Sequence, residues 1–323
     1  MPKNIALHKG YKLGEYSISK KLSTGGFSLV YLAYTKDGSP VAIKEFFPNH
    51  LHLRQSGQWI NFINSREKQR FLTGLKAFKD ETEIVMQLKH NNIIEIIDFF
   101  EANGTAYIVM PYEYGMTLSK YIATRKVINE QELFTISEGI FSAVQVFHDN
   151  NIIHLDLKPG NIWLRPDKEA LILDFGTARI INDPIKSNHP PMHTPGYAAP
   201  EQHKEFFLPH RVGVWTDYYG LGTTLYALIE KKPPPPSMGL LNIGTPATIV
   251  SKRSGQLNAD FLEMIETLLQ LEWDKRKKIN LKDMIGKLKQ FKVAPKASLV
   301  TDFLNKEIKL SYCRYKEEVL NKS

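Results

Sequence analysis

Residues 154–161 read His-Leu-Asp-Leu-Lys-Pro-Gly-Asn, and Asp174-Phe175-Gly176 begins thirteen residues after Asn161. Asp156 can take a proton from a hydroxyl, and Lys158 brings a cation to the same point. Asn161 and Asp174 offer oxygens suited to a hard divalent ion. Together these are the groups needed to move a phosphoryl group from a magnesium-bound nucleotide to a hydroxyl. Neither stretch decides the matter alone, because an isolated loop aspartate caps a neighbouring turn as readily as it catalyses. The order and spacing of the surrounding elements must decide.

Residues 16–35 carry Ile18, Leu22, Phe27, Leu29, Tyr31 and Ala33 around Ser23-Thr24-Gly25-Gly26-Phe27-Ser28, which predicts two strands and a small-residue turn. Such a turn lets backbone N–H groups approach phosphate oxygens, although Gly-Gly turns are common in ordinary hairpins. Val41-Ala42-Ile43-Lys44 reads as a strand; its lysine is either an edge-strand lysine or a cation held for nucleotide phosphates. Phe71, Leu75, Phe78, Thr82, Val85 and Leu88 recur at helical spacing and predict a helix over about 70–89. Glu81 lies close to that stripe, where desolvating an unpaired carboxylate is costly, so an ion pair with Lys44 is expected. Strands near 94–101 and 105–110 lead into Met110-Pro111-Tyr112-Glu113-Tyr114-Gly115, a hinge between a strand-rich and a helical unit. Asn129 with Glu132 predicts a capped helix broken at His148-Asp149-Asn150-Asn151. Short strands around 162–164 and 171–173 should form a hairpin that leaves Asp174 at a strand end. Further helices are expected at about 216–230, 258–271 and 280–291, the first stopped by the prolines at 233–236.

The chain has 323 residues, 42% of them hydrophobic and 24% charged, as in ordinary globular proteins, and that length predicts about two folding units. Its single cysteine, Cys313, excludes an internal disulfide and a cysteine-rich metal site and predicts a reducing compartment, with cytoplasmic as the default location. No apolar run is long enough to span a bilayer. The net charge of +8 is spread along the chain and reads as a solvated face, with some positive potential gathered near phosphates. No nucleic-acid partner is expected, for want of any zinc-finger or aromatic-basic signature.

Taken in order, these stretches resemble the eukaryotic-type (Hanks-type) serine/threonine protein kinases, in their bacterial and phage branch. The resemblance runs from about 13 to about 290. It is carried by the turn at 23–30, Val-Ala-Ile-Lys at 41–44, Glu81, the hinge, the 154–161 motif, Asp-Phe-Gly, Thr194-Pro195-Gly196-Tyr197-Ala198-Ala199-Pro200-Glu201, Asp217 and Arg276. Lys-Glu-Phe-Phe-Pro at 44–48 resembles a bacterial subgroup that inserts residues between the strand lysine and the helix glutamate; here 37 positions separate them, and the excess is expected to form a loop or small hairpin.

The resemblance implies an α+β bilobal fold: an antiparallel-sheet lobe with one main helix (about 13–110), a hinge (111–115) and a larger, mainly helical lobe (116–290). It implies ATP with Mg2+ or Mn2+, and a protein Ser/Thr hydroxyl as acceptor, with autophosphorylation possible. Lys44 would hold the α- and β-phosphates and Glu81 would hold Lys44. Asp174 and Asn161 would bind metal, Asp156 would orient and deprotonate the acceptor, and Lys158 would neutralise charge on the moving group. Ser23, Gly25, Gly26, Phe27 and Ser28 would cover the phosphates. Val30, Ala42, the gatekeeper Met110, Pro111, Tyr112 and Glu113 would line the adenine site. Thr194 would orient the acid, while Glu201–Arg276 and Asp217 are expected to be structural. Lys158 and Thr194 favour a Ser/Thr protein acceptor over a tyrosine or a small molecule. A nucleotide-binding pseudokinase or scaffold is the alternative; it would show damage at Lys44, Asp156 or Asp174, and all three are intact.

Two departures stand out. Ser23 and Ser28 replace family glycines, which costs backbone energy if either position needs φ > 0. Leu155 stands where most of the family carries arginine. A leucine cannot pair with an activation-segment phosphate, so control through that pairing is not expected at Thr177 or Ser187. Beyond the last family helix, Val300, Phe303, Leu304, Ile308, Tyr312, Tyr315 and Val319 predict a helical extension (291–323). It would either pack on the kinase or bind a partner.

Overall fold

A computed structural model describes residues 6–48, 54, 59–62, 64–125, 127–181, 194–249 and 255–292. The expected C-terminal extension beyond 292, Cys313 and Ser187 lie outside the described residues, as does most of the insertion after Pro48.

The first lobe is an antiparallel sheet of β1 (Lys12–Leu13), β2 (Tyr16–Thr24), β3 (Ser28–Tyr34), β4 (Pro40–Phe46), β5 (Asp98–Ala102) and β6 (Thr105–Pro111), in the order β1-β2-β3-β4-β6-β5. β4 is paired on both sides, with Lys44 opposite Val30 and Ile108, so Lys44 is not an edge-strand lysine. α1 (Ser65–Met86) lies against this sheet through the predicted stripe Phe71, Leu75, Phe78, Thr82 and Val85. It starts five residues earlier than the periodicity suggests, because the Asn64 side chain accepts from the Glu67 N–H and caps the helix. Gly74 permits close contact: a Cβ there would sit 2.8 Å from the Phe46 ring. The strand expected from 94 begins at Asp98 instead. Ile94 N–H donates to the Ile172 carbonyl at 3.0 Å, so this stretch starts bonded to the second lobe and reaches β6 only at Ile97, whose N–H donates to the Val109 carbonyl at 2.8 Å.

On the opposite side of β4 from Lys44, as strand alternation requires, Glu45 is fully buried. It accepts from the hydroxyls of Tyr31 and Tyr107, each at 2.7 Å, and pairs with Arg54, which is also buried. Arg54 comes from the insertion and lies over the Phe47 ring. Thus the insertion does more than form a surface loop: one of its side chains enters the sheet lobe's core.

The second lobe is built on α3 (Glu130–Asp149), preceded by α2 (Leu118–Thr124). α3 opens with the Asn129–Glu132 capping box and buries Leu133, Ile136, Ile140, Val144 and Phe147. It runs through His148, which sequence reasoning placed in the break; the chain turns only at Asn151, with φ of 58°. α4 (Val214–Glu230) ends at a left-handed Lys231, two residues before the proline run. α5 (Ser237–Ile243), α6 (Ala259–Leu268), α7 (Trp273–Arg276) and α8 (Leu281–Phe291) complete the lobe. The helix expected over about 258–271 ends at Leu268, and the separate short α7 carries Arg276. Its guanidinium donates to buried Glu201 and to the Trp215 and Leu271 carbonyls at 3.0 Å, as the structural role requires.

Between β7 (Met116–Thr117) and α4 lie short strands β8 (Ile152–Ile153), β9 (Ile162–Leu164), β10 (Ala170–Ile172) and β11 (Arg179–Ile180). β9 and β10 form an antiparallel hairpin with Ile162 opposite Ile172. This register explains the thirteen-residue spacing. Asn161 immediately precedes one strand and Asp174 closely follows the other, with Leu173 N–H donating to the Asn161 carbonyl at 3.0 Å.

Candidate active site

The loop after β8 presents Asp156 in a closed cluster. Thr194 Oγ1 donates to Asp156 Oδ1 at 2.8 Å, while Lys158 Nζ and Asn161 Nδ2 donate to Oδ2 at 2.7 and 2.9 Å. Lys158 Nζ also reaches Thr194 Oγ1 at 2.8 Å. Three residues from two distant segments thus fix the carboxylate, and a hydroxyl arriving beside it would meet both an acceptor and a cation.

The backbone beneath Asp156 is strained. Leu155 has φ of 66°, the left-handed region that a leucine occupies at a cost of about 1–2 kcal/mol. Asp217 on α4 offsets that cost by accepting the N–H groups of His154 at 2.8 Å and Leu155 at 2.7 Å. Burial pushes the Asp217 carboxyl up, but the His148 hydrogen bond at 2.8 Å and its backbone donors outweigh this and hold it below the usual carboxylate range. Burial also lowers the His154 imidazole below its ordinary value, so that ring is neutral at pH 7. Sequence reasoning assigned Asp217 only a structural role on its helix. The structure makes it the anchor of the 154–161 loop, with His148 from α3 beside it.

Lys44 Nζ donates to Asp174 Oδ1 at 2.7 Å. The Lys44 charge, with its hydrogen bond and the Gly176 N–H at 3.2 Å, outweighs burial and lowers the Asp174 carboxyl from 3.8 to about 2. Glu81 lines the same space as Lys44. A cavity of about 460 Å³ opens between the lobes and brings together Gly25, Gly26, Lys44, Asp156, Asp174 and Thr194. Phe27 and Ser28 also border it. Neither Ser23 nor Ser28 has positive φ, so the expected backbone cost of losing glycine does not arise.

Toward the hinge, Ala42 stands opposite Met110 and Val41 opposite Pro111. Met110 is buried and borders a small space behind it with Thr82, Ile96 and Phe175. Glu113 accepts two bonds from Arg165, at 2.8 and 3.0 Å, and Arg165 donates at 2.8 Å to the Asn91 carbonyl. This fork ties the hinge to the end of β9. Nothing in the spacing of Arg165 marks it out.

The Thr177 hydroxyl donates to the His154 carbonyl at 2.8 Å, so it is already engaged beneath the 154–161 loop. Gln202, just after Pro200–Glu201, is buried and donates to the Leu155 carbonyl at 2.7 Å.

The donor set suits a hard cation. Asp174 supplies carboxylate oxygen, and the Asn161 amide nitrogen is turned to the Asp156 carbonyl and carboxylate, which leaves its oxygen to face an ion. A site with two protein oxygens fits magnesium, which keeps several waters and substrate phosphates in its shell. Among the described residues no helix is long and apolar enough to cross a membrane.

The protein kinase domain family model matches residues 16–285. The chain belongs to that family, in its Hanks-type serine/threonine branch. It is 30% identical over 283 residues to serine/threonine-protein kinase ULK3 of Mus musculus, covering 85% of this chain and 54% of that one. It is 31% identical over 225 residues to serine/threonine-protein kinase PrkC of Bacillus subtilis, covering 68% and 31%. A probable serine/threonine-protein kinase zyg-1 of Caenorhabditis briggsae is 26% identical over 85% of this chain and 34% of its own length. The chain therefore spans about half or less of these relatives. Among solved structures, the apo form of PpkA-294 superposes with a TM-score of 0.76 at 28% identity, over 89% of this chain and 99% of that one.

Proposed function

We propose that the chain transfers the γ-phosphoryl group of ATP to serine or threonine hydroxyls of proteins, itself included. The observation that carries this reading is the Asp156 cluster, set across one cavity from the Lys44–Asp174 pair.

In this mechanism adenine lies against the hinge at 111–113, beneath Val30 and Ala42. The 23–28 turn covers the phosphates with backbone N–H groups. Lys44 would hold the α/β-phosphates, leaving Asp174 for the metal, and Glu81 would keep Lys44 in place. Asp174 and Asn161 would hold magnesium, which would supply charge neutralisation for the phosphates. Asp156 Oδ1, aimed by Thr194, receives the acceptor's hydroxyl proton. Lys158 stabilises charge on the equatorial oxygens of the transferring group as the bond to the ADP oxygen breaks. Because the transition state is loose, positioning and electrostatics supply most of the rate gain.

We further propose that the active arrangement does not depend on a phosphate bound at position 155. Leu155 is buried and cannot pair with one, and Thr177 is engaged with the backbone. The test is incorporation of label from γ-labelled ATP by wild type and by Asp156→Asn, with and without magnesium. Label on the protein or on a basic test protein, lost in the variant and on chelation, is the expected result. Nucleotide binding without transfer in the wild type would favour the scaffold reading.

A further inference from the structure

We propose that Gln202 is a positioning residue for Asp156, a neutral, uncharged latch serving where a phosphate–arginine pair cannot form. The proposal rests on the phosphoryl-transfer reading above.

Gln202 is 2% exposed, and both ends of its carboxamide are used. Its Nε2 donates to the Leu155 carbonyl at 2.7 Å, and its Oε1 accepts from the Ala199 N–H at 2.9 Å. The orientation is fixed by chemistry. A carbonyl can only accept and an amide N–H can only donate, so the nitrogen must face Leu155 and the oxygen Ala199.

The bond falls on a sensitive peptide. Leu155 is held at φ 66°, and the unit joining it to Asp156 sets the direction of the catalytic carboxylate. Asp217 grips the preceding N–H groups, at His154 and Leu155. The His154 ring accepts from the Asp156 N–H at 3.3 Å. Gln202 supplies the remaining hold, on the Leu155 carbonyl itself. Rotation of that peptide would turn Asp156 away from Thr194 and Lys158. Through Ala199 the same side chain ties the 194–202 segment, which carries Thr194, to the catalytic loop. The segment is thereby coupled to Asp156 at two points, and neither needs a phosphate.

Glutamate has nearly the same shape and can still accept from Ala199, but it sets an oxygen against the Leu155 carbonyl. Methionine fills the space and keeps neither bond. Full-chain Gln202→Glu and Gln202→Met should be compared with wild type for kcat, ATP KM, nucleotide dissociation constant without turnover, and thermal midpoint. The expected result is a kcat loss of about tenfold or more in both, from misplacement of the reacting group, with nucleotide affinity within about twofold of wild type. Several results would overturn the proposal: kcat within about twofold of wild type, nucleotide affinity falling in step with kcat, or failure of both variants to fold. The last two would assign Gln202 to holding up the lobe rather than aiming Asp156. A wild type that binds nucleotide but transfers nothing sinks the phosphoryl-transfer reading and this proposal with it. A wild type silenced by phosphatase sinks phosphate independence alone, and the Gln202 comparison is then read on the phosphorylated form.

Discussion

Replacing Arg54 by methionine removes one charge from an ion pair buried in the sheet lobe and leaves the other in place. Arg54 is 1% exposed and Glu45 0%. Without the guanidinium, Glu45 keeps, among the described residues, the hydroxyls of Tyr31 and Tyr107. Breaking a buried pair by removing one partner costs about 3–5 kcal/mol, a large share of a typical stability of about 5–15 kcal/mol. Methionine replaces much of the lost volume, so the cost is electrostatic rather than that of a cavity. Glu45→Gln together with Arg54→Met removes both charges and leaves an amide for the tyrosines; it should recover most of the loss, to within about 1 kcal/mol of wild type. The assay is urea unfolding followed by circular dichroism. The single variant should shift the midpoint down by on the order of 1 M, and the double variant should return most of it. A single variant within about 1 kcal/mol of wild type, or a double variant no better than the single, would refute the claim that the insertion anchors this lobe through a desolvated pair.

Thr194→Val should lower kcat by about 10–10²-fold with little change in ATP KM, because it removes the hydroxyl that orients Asp156 Oδ1; Thr194→Ser should restore most of it. Steady-state kinetics check this, and a valine variant at full rate would refute it. The Asp174 carboxyl is lowered from 3.8 to about 2 by Lys44, so its pair contributes fully above pH 4 and is lost as pH falls through about 2. The stability gap between wild type and Asp174→Asn should thus be flat over about pH 5–8 and shrink between about pH 4 and 2. Thermal midpoints measured across that range check it, and a gap that changes between pH 5 and 8 would contradict the assignment. Thr177→Ala should lose at most the benefit of one hydrogen bond, about 0.5–1.5 kcal/mol of stability. Thr177→Glu should not raise turnover; activation by that change would reinstate phosphate control.

The groups proposed to act in catalysis stood out in the sequence because each is a chemically distinctive residue at a fixed distance from the next. The hairpin register that joins Asn161 to Asp174 turns thirteen residues of sequence into immediate neighbours. The stripe of α1 was legible for a similar reason: Phe71, Leu75, Phe78, Thr82 and Val85 repeat with the helical period and are the residues buried. What escaped were contacts with no local signature. The Asp217 carboxylate bonds backbone some sixty residues away, and Gln202 bonds a carbonyl 47 positions earlier. Arg54 reads as one basic residue in a polar insertion until the sheet closes around it. The early start of α1 turned on a single capping side chain, Asn64, rather than on periodicity.

The central claim is that Asp156 directs phosphoryl transfer at a site otherwise built to hold nucleotide. The most direct measurement pairs the single-turnover rate of transfer from labelled Mg-ATP with nucleotide affinity, for wild type and Asp156→Asn. The account predicts transfer to serine or threonine by the wild type, a rate loss of about 10²-fold or more in the variant, and nucleotide affinity within about threefold. Equal rates for the two proteins, or a rate loss matched by lost nucleotide binding, would contradict it.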